Sequence, residues 1–380
     1  MIDDALFLTG TQRSGTTLLE KLVGAWTGVS MLSQPFPLLF VEIKRAFLRS
    51  RGLDDDPYPL GPLFHETRYS KSELAAFLRE WRPSRRELEA LFAQMRDYSG
   101  QYTKFASDQL NAAFDRISQE SDFADVVSRL DHSLAHVDEA RWFGSKETIC
   151  EEFVPFLLER GFRCAIIVRD PRDVAASLNS RRGVEFGGSV KPTLNNVRSW
   201  RKSVAYAIAM EKRPRFHWCR YEDLASHPAH VLSRLASDLG IDTDPAQIAP
   251  VGIVDAQGIP WRGNSSYGER TGVSTESIGA WREALPGQVS EMIEATCLPE
   301  LQLLGYETTL TRAEAARVIA RFREPYEITR RGMEQDAATP ENAELEQRRL
   351  DRVTEPSGSD SESWFVFAEM HDRLREAFRP

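Results

Sequence analysis

The sequence predicts an α/β fold in which helices cover a central parallel sheet, and three segments of the chain carry this prediction. Apolar residues 5–8 are followed by a tight turn at 9–15 and by an apolar-striped helix at 16–26. Two more short apolar runs, at 162–168 and 216–221, have the composition of buried strands. Because helical patterns separate these runs, we expect the strands to pair in parallel through crossover helices.

The turn after the first predicted strand has the spacing of a phosphate-binding loop. Gly10 and Gly15 keep the spacing of the nucleotide P-loop, but Thr16 stands in place of its lysine, and the cation of the loop is Arg13. A strand–turn–helix unit directs backbone N–H groups and the positive end of the helix at an anion. The sequence therefore predicts a P-loop-like three-layer fold that binds a phosphate-like group without the usual ATP-hydrolysis lysine. An ordinary capped turn of an α/β fold is the alternative.

A helical insertion is predicted between the first helix and the second predicted strand. Helical spacing resumes at 38–48, and residues 51–65, rich in Asp, Pro and Gly, predict a long surface loop. The pattern at 70–137 is helical, with polar caps such as Ser70 and Ser84 opening its segments. This region interrupts the α/β pattern and is placed to form a lid.

The C-terminal part of the chain predicts a helical extension. A last sheet-associated helix is expected over 286–304, ending at Gly305, and residues 334–362 are polar and acidic, with a linker at 356–362. A final amphipathic helix is expected to dock on the protein's own core, with a partner-binding helix as the alternative. Its apolar face consists of Trp364, Phe367, Met370, Leu374 and Phe378.

Composition excludes several classes of protein. A chain of 380 residues with 41% hydrophobic and 28% charged residues is typical of a globular protein with one large core or two domains. Its net charge of −9 argues against a general nucleic-acid binder, so an anionic ligand requires a local basic pocket. The four cysteines are widely spaced and predict buried free thiols of a reducing compartment, not disulfides or a zinc site. With no signal peptide or membrane-length segment in the sequence, we expect a cytoplasmic protein.

A second cluster of charged residues follows the predicted strand at 162–168. Arg169 lies at the carboxyl edge of the sheet, where α/β proteins bind ligands, and Asp170 is placed to cap the next helix. On that helix Ser177 and Arg181 are spaced by four residues and are expected to grip a second anionic group together with Arg169. Two alternatives stay open: a surface Arg–Asp network, and a magnesium site at Asp170 as in nucleotide hydrolases.

These motifs resemble the family of sulfotransferases that use 3′-phosphoadenosine 5′-phosphosulfate. The segment Thr11–Thr17 is similar to the family's 5′-phosphosulfate loop, and the loop is closest to the bacterial and tyrosylprotein-type branch. Arg169 and Ser177, eight residues apart, resemble the 3′-phosphate site, and Arg181 matches a basic position of the tyrosylprotein branch.

Three later segments extend the resemblance in family order. Residues 220–224 resemble a strand end whose tyrosine lies near the adenine, and residues 281–307 resemble the closing helix. Residues 261–266 resemble the late loop over the 3′-phosphate, so the likeness covers roughly residues 1–45 and 142–307. The resemblance implies donor-binding roles for Arg13, Ser14, Gly15, Thr16, Thr17, Arg169, Ser177, Arg181, Tyr221, Arg262, Gly263 and Asn264.

The resemblance also implies catalytic roles and a division of the chain. Arg13 and Lys146 would stabilise charge on the transferred group, and no metal is expected. We expect a sulfotransferase domain at 1–310, with its core at 1–50 and 141–310 and a helical acceptor-side insertion at 51–140. A C-terminal helical extension with an acidic linker would occupy 311–380.

The general base is the least defined part of the site. Gln34 stands where the tyrosylprotein branch has its catalytic glutamate, and Thr148 stands where the cytosolic branch has a histidine. We expect His65 to be the base, because a loop after the first helix is placed to overhang the cleft. The other candidates are Glu42, Glu66, His132, His136 and Glu147.

The predicted reaction transfers a sulfuryl group from 3′-phosphoadenosine 5′-phosphosulfate to a hydroxyl of a small-molecule acceptor. Aromatic residues of the insertion suggest an apolar acceptor, although they are equally suited to the insertion's own core. An ATP-dependent small-molecule kinase and a catalytically idle nucleotide-binding module are the alternatives. Those aromatic residues are Phe64, Tyr69, Trp81, Tyr98 and Tyr102.

Overall fold

The computed structural model of the chain contains one five-stranded sheet in which every strand runs parallel to its neighbours. The order of the strands is β2-β3-β1-β4-β5. The strands are β1 (Ala5–Thr9), β2 (Val29–Ser33), β3 (Trp142–Lys146), β4 (Arg163–Val168) and β5 (Phe216–Arg220). The structure describes residues 2–53, 58–63, 69–96, 103–118, 120–137, 139–243, 272–330 and 332–378.

Helices connect and flank these strands. They are α1 (Thr16–Gly24), α2 (Pro37–Ser50), α3 (Lys71–Glu80), α4 (Arg85–Met95), α5 (Asn111–Arg116), α6 (Phe123–Ser133), α7 (Val154–Glu159), α8 (Pro171–Asn179), α9 (Arg181–Gly187), α10 (Thr193–Met210), α11 (Tyr221–Ser226), α12 (Pro228–Leu239), α13 (Trp281–Ala284), α14 (Gly287–Leu303), α15 (Arg312–Arg321), α16 (Pro340–Arg352), α17 (Ser361–Phe365) and α18 (Ala368–Ala377).

The sheet is the middle layer of three, as the sequence predicts. Successive residues of a strand face opposite sides, so Leu6 and Leu8 pack with α1, α11 and α12, whereas Ala5 and Phe7 pack with α2, α6, α10 and α14. The strands predicted at 5–8, 162–168 and 216–221 are present as β1, β4 and β5. The short strand β2 was not predicted.

The insertion is helical, and its predicted caps are present. Ser70 and Ser84 each accept a hydrogen bond from a backbone N–H three residues on and complete capping boxes at α3 and α4. Tyr69 donates to buried Glu152, and Trp81 packs against Phe123 at a ring-centroid distance of 6.0 Å. These two aromatic side chains are therefore partly buried against the main hydrophobic cluster, and Phe64, Tyr98 and Tyr102 lie outside the described residues.

The C-terminal extension docks on the protein's own core. Phe367, Met370, Leu374 and Phe378 are buried in the main hydrophobic cluster, as predicted for a terminal docked segment. The single helix expected from Trp364 to Phe378 is wrong, because Val366, with φ 69°, separates α17 from α18. The acidic stretch before them contains α16, which is a packed helix, whereas residues 337–339 and the residues between α16 and α17 lie outside helices. The cysteines are buried and free, as predicted, and burial raises the pKa of the Cys219 thiol to about 12.

One predicted helix is divided in two. The expectation that Ser177 and Arg181 share a helix is wrong, because α8 ends at Asn179 and α9 begins at Arg181. Ser180 causes the break: its backbone is extended, and its hydroxyl accepts the N–H of Gly183 as the cap of α9. Among the described residues, no helix is both long and apolar enough to span a membrane.

Candidate functional site

The loop between β1 and α1 packs closely against neighbouring elements because it contains two glycines. Gly10 has φ 153° and Gly15 has φ 100°, both in the region that favours glycine. A Cβ at Gly10 would lie 2.5 Å from the Ile167 carbonyl oxygen, and one at Gly15 would lie 2.5 Å from Cδ2 of Tyr221. The loop therefore lies against the end of β4 and the start of α11, at the carboxyl edge of the sheet.

The loop is folded so that the N-terminus of α1 faces the candidate site. The Ser14 backbone N–H and hydroxyl both donate to the Thr11 carbonyl, at 3.1 and 2.6 Å. Gly15 is the N-cap of α1, and within the described chain no side chain caps this end. The first amides of the helix are therefore directed at a position where an anion is favoured by both hydrogen bonding and the helix dipole.

Arg13 connects the loop to the second predicted anion site. Its backbone is left-handed, with φ 65°, and its Nε donates to Ser177 Oγ on α8 at 2.9 Å. The loop and α8 are 164 residues apart in sequence, so this contact brings the two predicted anion sites together. A non-glycine residue in this conformation costs energy and marks a position that the surrounding structure constrains.

Arg169 lies at the end of β4, beneath the loop. Its guanidinium donates to the carbonyl oxygens of Ser277 at 2.6 Å and Arg13 at 3.3 Å, and it lies 4.5 Å from the ring centroid of Tyr221. The Tyr221 hydroxyl lies 2.7 Å from Ser277 Oγ. Its guanidinium also lies 3.8 Å from the Asp173 carboxylate, and among the described residues its buried Nε has no hydrogen-bond partner.

The neighbouring charged residues of this segment have structural roles. Asp170 accepts the backbone N–H of Arg172 as the cap of α8 and pairs with its guanidinium at 2.8 Å. Arg172 also lies 3.3 Å from Glu294 on α14. A carboxylate bound in this way is occupied by arginine, which weighs against the magnesium alternative. The Arg–Asp network of the alternative therefore exists, but it is buried, and it includes Arg169, whose guanidinium lies 3.8 Å from the Asp173 carboxylate.

Lys146 is buried at the end of β3 and is held by an amide. Its Nζ donates to Gln34 Oε1 at 3.3 Å, and the Gln34 backbone N–H donates to the Lys146 carbonyl at 2.8 Å. Gln34 has φ 48°, a strained conformation for this residue type. Burial lowers the pKa of Lys146, whereas the carboxylates of Glu20 and Glu147 act in the opposite direction.

Glu147 is the described base candidate that lies at this edge of the sheet. It follows Lys146 directly, and its Oε1 accepts the backbone N–H of Phe36 at 2.6 Å. Burial raises the pKa of Glu147, whereas the Phe36 N–H and the charge of Lys146 act in the opposite direction. A raised carboxyl pKa is suited to general-base chemistry.

Two histidine candidates lie at the other end of the strands. His132 is 3.0 Å from Asp4, which precedes β1, and His136 contacts Ser30 near the start of β2. Glu42 forms a partly exposed ion pair with Arg45 on α2, at 2.6 Å. His65 and Glu66 lie outside the described residues, so the predicted role of His65 stays a prediction.

The structure therefore brings together part of the predicted site. Arg13, Ser177, Arg169 and Tyr221 form one contact group around the loop, and Lys146 occupies the adjacent strand end. Arg181 begins α9, but its side chain is outside the described part of the chain, as are Arg262, Gly263 and Asn264. The sequence prediction missed Trp200, whose indole N–H donates to the Arg169 carbonyl at 2.7 Å, because a contact to a backbone oxygen leaves no motif.

Comparison with known proteins agrees with this geometry. A model of the sulfotransferase family matches residues 5–245. The nodulation protein NoeE of Sinorhizobium fredii NGR234 is 28% identical over 193 residues, which is 44% of this chain and 44% of that relative. The matched part thus spans under half the length of the curated relative.

Two solved structures are similar at lower identity. The sulfotransferase domain of the curacin biosynthetic pathway is 18% identical, with a TM-score of 0.43 over 81% of this chain and 99% of that chain. Retinol dehydratase, crystallised with androsterone and the inactive cofactor PAP, is 14% identical, with a TM-score of 0.37 over 82% of this chain and 84% of that chain. Because both TM-scores are below 0.5, the family assignment depends on the match to the family model.

Proposed function

Because the chain belongs to the sulfotransferase family, we propose that it transfers a sulfuryl group from 3′-phosphoadenosine 5′-phosphosulfate to a hydroxyl of a small-molecule acceptor. The products would be a sulfate ester and adenosine 3′,5′-bisphosphate. The hydrogen bond between Arg13 and Ser177 carries the proposal, since it joins two anion-binding elements. A donor with phosphate groups at both ends of its ribose requires two such elements side by side.

The chemistry of the described residues fits this donor. Gly10 and Gly15 let the loop lie close against β4 and α11, and Arg169 keeps a buried Nε–H without a hydrogen-bond partner among the described residues. Thr16 and Thr17 add hydroxyls at the start of α1. Ser14, which is tied to Thr11, would instead hold the loop in shape.

The reaction needs alignment and charge stabilisation and does not require a protein-bound metal. The acceptor oxygen forms a bond to sulfur while the bond from sulfur to the 5′-phosphate oxygen breaks, and the negative charge leaves with that phosphate. Arg13 and Lys146 would stabilise this charge, because both are cations at the carboxyl edge of the sheet. Arg181, Tyr221, Arg262, Gly263 and Asn264 keep their proposed donor-binding roles.

The acceptor proton requires a base. Glu147 supports this role by its position beside Lys146 and by a pKa that burial raises, whereas Gln34 has no site for the proton. His65 remains the second candidate, proposed from the sequence alone. Replacing each residue by glutamine or asparagine and measuring the pH profile of kcat would distinguish them.

The same proposal covers the organisation and location of the protein. Residues 1–310 would form the sulfotransferase domain, with the insertion at 51–140 on the acceptor side, and residues 311–380 would be an extension of it. Buried free thiols support residence in a reducing compartment such as the cytoplasm. Nucleic acid is not expected as a partner for a chain with a net charge of −9.

Titration with adenosine 3′,5′-bisphosphate tests the donor. We expect it to bind at least tenfold more tightly than adenosine 5′-monophosphate, because only the bisphosphate engages both anion sites, a difference of about 1.4 kcal/mol. Equal affinities would contradict the proposal. Turnover with labelled donor should persist in a chelator, which would abolish a magnesium-dependent kinase, and binding without any turnover would favour the idle module.

A further inference from the structure

Lys191 is a buried cation beside the phosphosulfate loop that the proposed reaction does not use. It lies between α9 and α10, is 5% exposed, and its Nζ donates to Gln12 Oε1 at 2.5 Å. Its backbone is fixed by Asn179, the last residue of α8, through hydrogen bonds of 2.9 and 3.0 Å. Since Gln12 directly precedes Arg13, the ammonium group lies one residue along the loop from the proposed catalytic arginine.

The charge of Lys191 has no carboxylate partner in the described chain. The charge that acts on it among the described residues is that of a second cation, Arg330. The Arg330 guanidinium lies 4.3 Å from the centroid of the Tyr58 ring, and Lys191 Nζ lies 5.6 Å from the same centroid. Burial and the Arg330 charge lower the pKa of Lys191 to about 8. Glu324, on the segment that follows α15, is engaged by the backbone N–H and hydroxyl of Thr193. A buried cation beside another cation is unfavourable unless an anion joins it.

Two buried polar side chains in the same segment also lack partners. Asn196 is 4% exposed and neither its amide nitrogen nor its amide oxygen forms a hydrogen bond, and Ser189 Oγ is likewise buried without one, among the described residues. Asn196 lies in the first turn of α10, one helical turn before Trp200, which contacts the end of β4. This end of α10 is therefore at the carboxyl edge of the sheet, and buried polar groups left unpaired there require an explanation.

We propose that the acceptor carries an anionic oxygen group, a carboxylate or a phosphate, and that Lys191 binds it with help from Asn196 and Ser189. This inference rests on the proposed function, because it assigns the acceptor class of the same site. Gln12 orients the ammonium without neutralising it, since an amide oxygen accepts a hydrogen bond but carries no net charge. The anion would complete the hydrogen bonding of Lys191 and give the site a preference among acceptors of similar size.

Three phenols that share one hydroxyl and differ in charge test this inference. We would measure the binding of 4-hydroxyphenylacetate, 4-methylphenol and tyramine to the protein saturated with adenosine 3′,5′-bisphosphate, by calorimetry at pH 7. The anion should bind about tenfold more tightly than the neutral phenol, and the cation should bind most weakly. Lys191→Met should remove this ranking, and Lys191→Arg should keep it.

A matched control separates a local effect from a change in net charge. Lys212 is exposed after α10, at the opposite edge of the sheet, and Lys212→Met should leave the ranking intact. Equal binding of the three phenols by the native protein would overturn the inference even if a variant fails to fold. It would also be overturned if Lys191→Met weakened the bisphosphate and all phenols alike, because the cation would then serve the donor. Failure of the native protein to bind the bisphosphate would instead contradict the proposed function.

Discussion

Two regions of the molecule bury positive charge, and they hold it in different ways. At the extension interface, where α10 and α14 meet α16, buried arginines pair with buried carboxylates. At the nucleotide edge, which comprises the β1–α1 loop and the adjoining strand ends, buried lysines donate to glutamine side chains. The extension interface consists of Arg198, Arg201, Glu300, Asp336, Glu346 and Arg349.

The charges of the extension interface are balanced within the protein. Glu346 lies 2.9 Å from Arg198 and 2.6 Å from Arg201, and Asp336 lies 3.0 Å from Arg198. Although burial alone would raise it, the pKa of Glu346 is lowered to about 2 by the arginines that surround it. Such a network holds the extension in place and has no charge to offer a ligand.

The nucleotide edge holds two buried lysines by glutamine side chains. Lys146 donates to Gln34, Lys191 donates to Gln12, and burial lowers the pKa of both lysines. An amide oxygen fixes the direction of an ammonium group without cancelling its charge. We therefore expect the carboxylate-paired cations to stabilise the fold and the two amide-held lysines to serve the proposed ligands.

Breaking the extension interface should give the largest loss of stability. Glu346→Ala leaves Arg198 and Arg201 buried without their shared carboxylate, and we expect the free energy of unfolding to fall by about 3–5 kcal/mol. Urea denaturation would measure this, and the affinity for adenosine 3′,5′-bisphosphate should be unchanged in the folded protein. Glu344→Ala, which removes an exposed pair with Arg348, should cost less than about 1 kcal/mol. Equal losses for the two variants would contradict the role of the network.

Removing an amide-held lysine should affect catalysis more than stability. Lys146→Ala should lower kcat by about 10²–10³, the usual cost of losing one group that stabilises transition-state charge, while the free energy of unfolding falls by no more than about 2 kcal/mol, the cost of a small cavity. Lys44 is the matched control, because it is equally buried but pairs with Glu152 at 2.7 Å. Lys44→Met should therefore destabilise the fold by about 3–5 kcal/mol. If Lys146→Ala unfolded the protein as readily as Lys44→Met, the distinction between the two kinds of cation would fail.

The sequence predicts those site residues and strands whose pattern lies within one contiguous segment. The loop around Arg13 and the pair Arg169 and Ser177 are recognisable because each motif is local, and β4 is recognisable because a strand buried on both faces is a continuous apolar run. The strand β2 escaped prediction because Ser30 and Ser33 interrupt its apolar pattern.

Contacts between residues that are far apart in the chain could not be predicted from the sequence. Lys191 and Gln12 are 179 residues apart, and Lys146 and Gln34 are 112 apart, so which lysine faces an amide and which faces a carboxylate depends on the packed fold. The end of α8 depends on a similar detail, because Ser180 caps α9 instead of continuing the helix toward Arg181. Composition and periodicity carry neither kind of information.

The pH dependence of stability should reveal the charge of Lys191. Its pKa is lowered from 10.5 to about 8 by burial and by Arg330, so between these values the unfolded chain holds a proton that the folded protein has lost. Stability should therefore rise from pH 8 to pH 10.5, by up to about 3 kcal/mol for a shift of this size, relative to Lys191→Met. Urea denaturation of both proteins at pH 7, 9 and 10.5 would measure the difference. Below pH 8 the free energies of unfolding of the native protein and of Lys191→Met should change in parallel with pH. If they also change in parallel above pH 8, the pKa of Lys191 is not lowered.

Converting one amide-held lysine into a carboxylate-paired lysine should have a smaller effect on stability and a specific effect on binding. Gln12→Glu places a carboxylate beside Lys191 at nearly the same size, which should raise the pKa of Lys191 and increase the free energy of unfolding by about 1 kcal/mol. The preference for 4-hydroxyphenylacetate over 4-methylphenol should disappear, because the new carboxylate neutralises the Lys191 ammonium that would otherwise bind the anionic acceptor. Gln335→Glu adds the same charge beside α16, away from the nucleotide edge, and should leave that preference unchanged. A Gln12→Glu protein that still favoured the anion would show that Lys191 does not provide the recognition, and an increase in stability alone would then reflect only a better-paired buried cation.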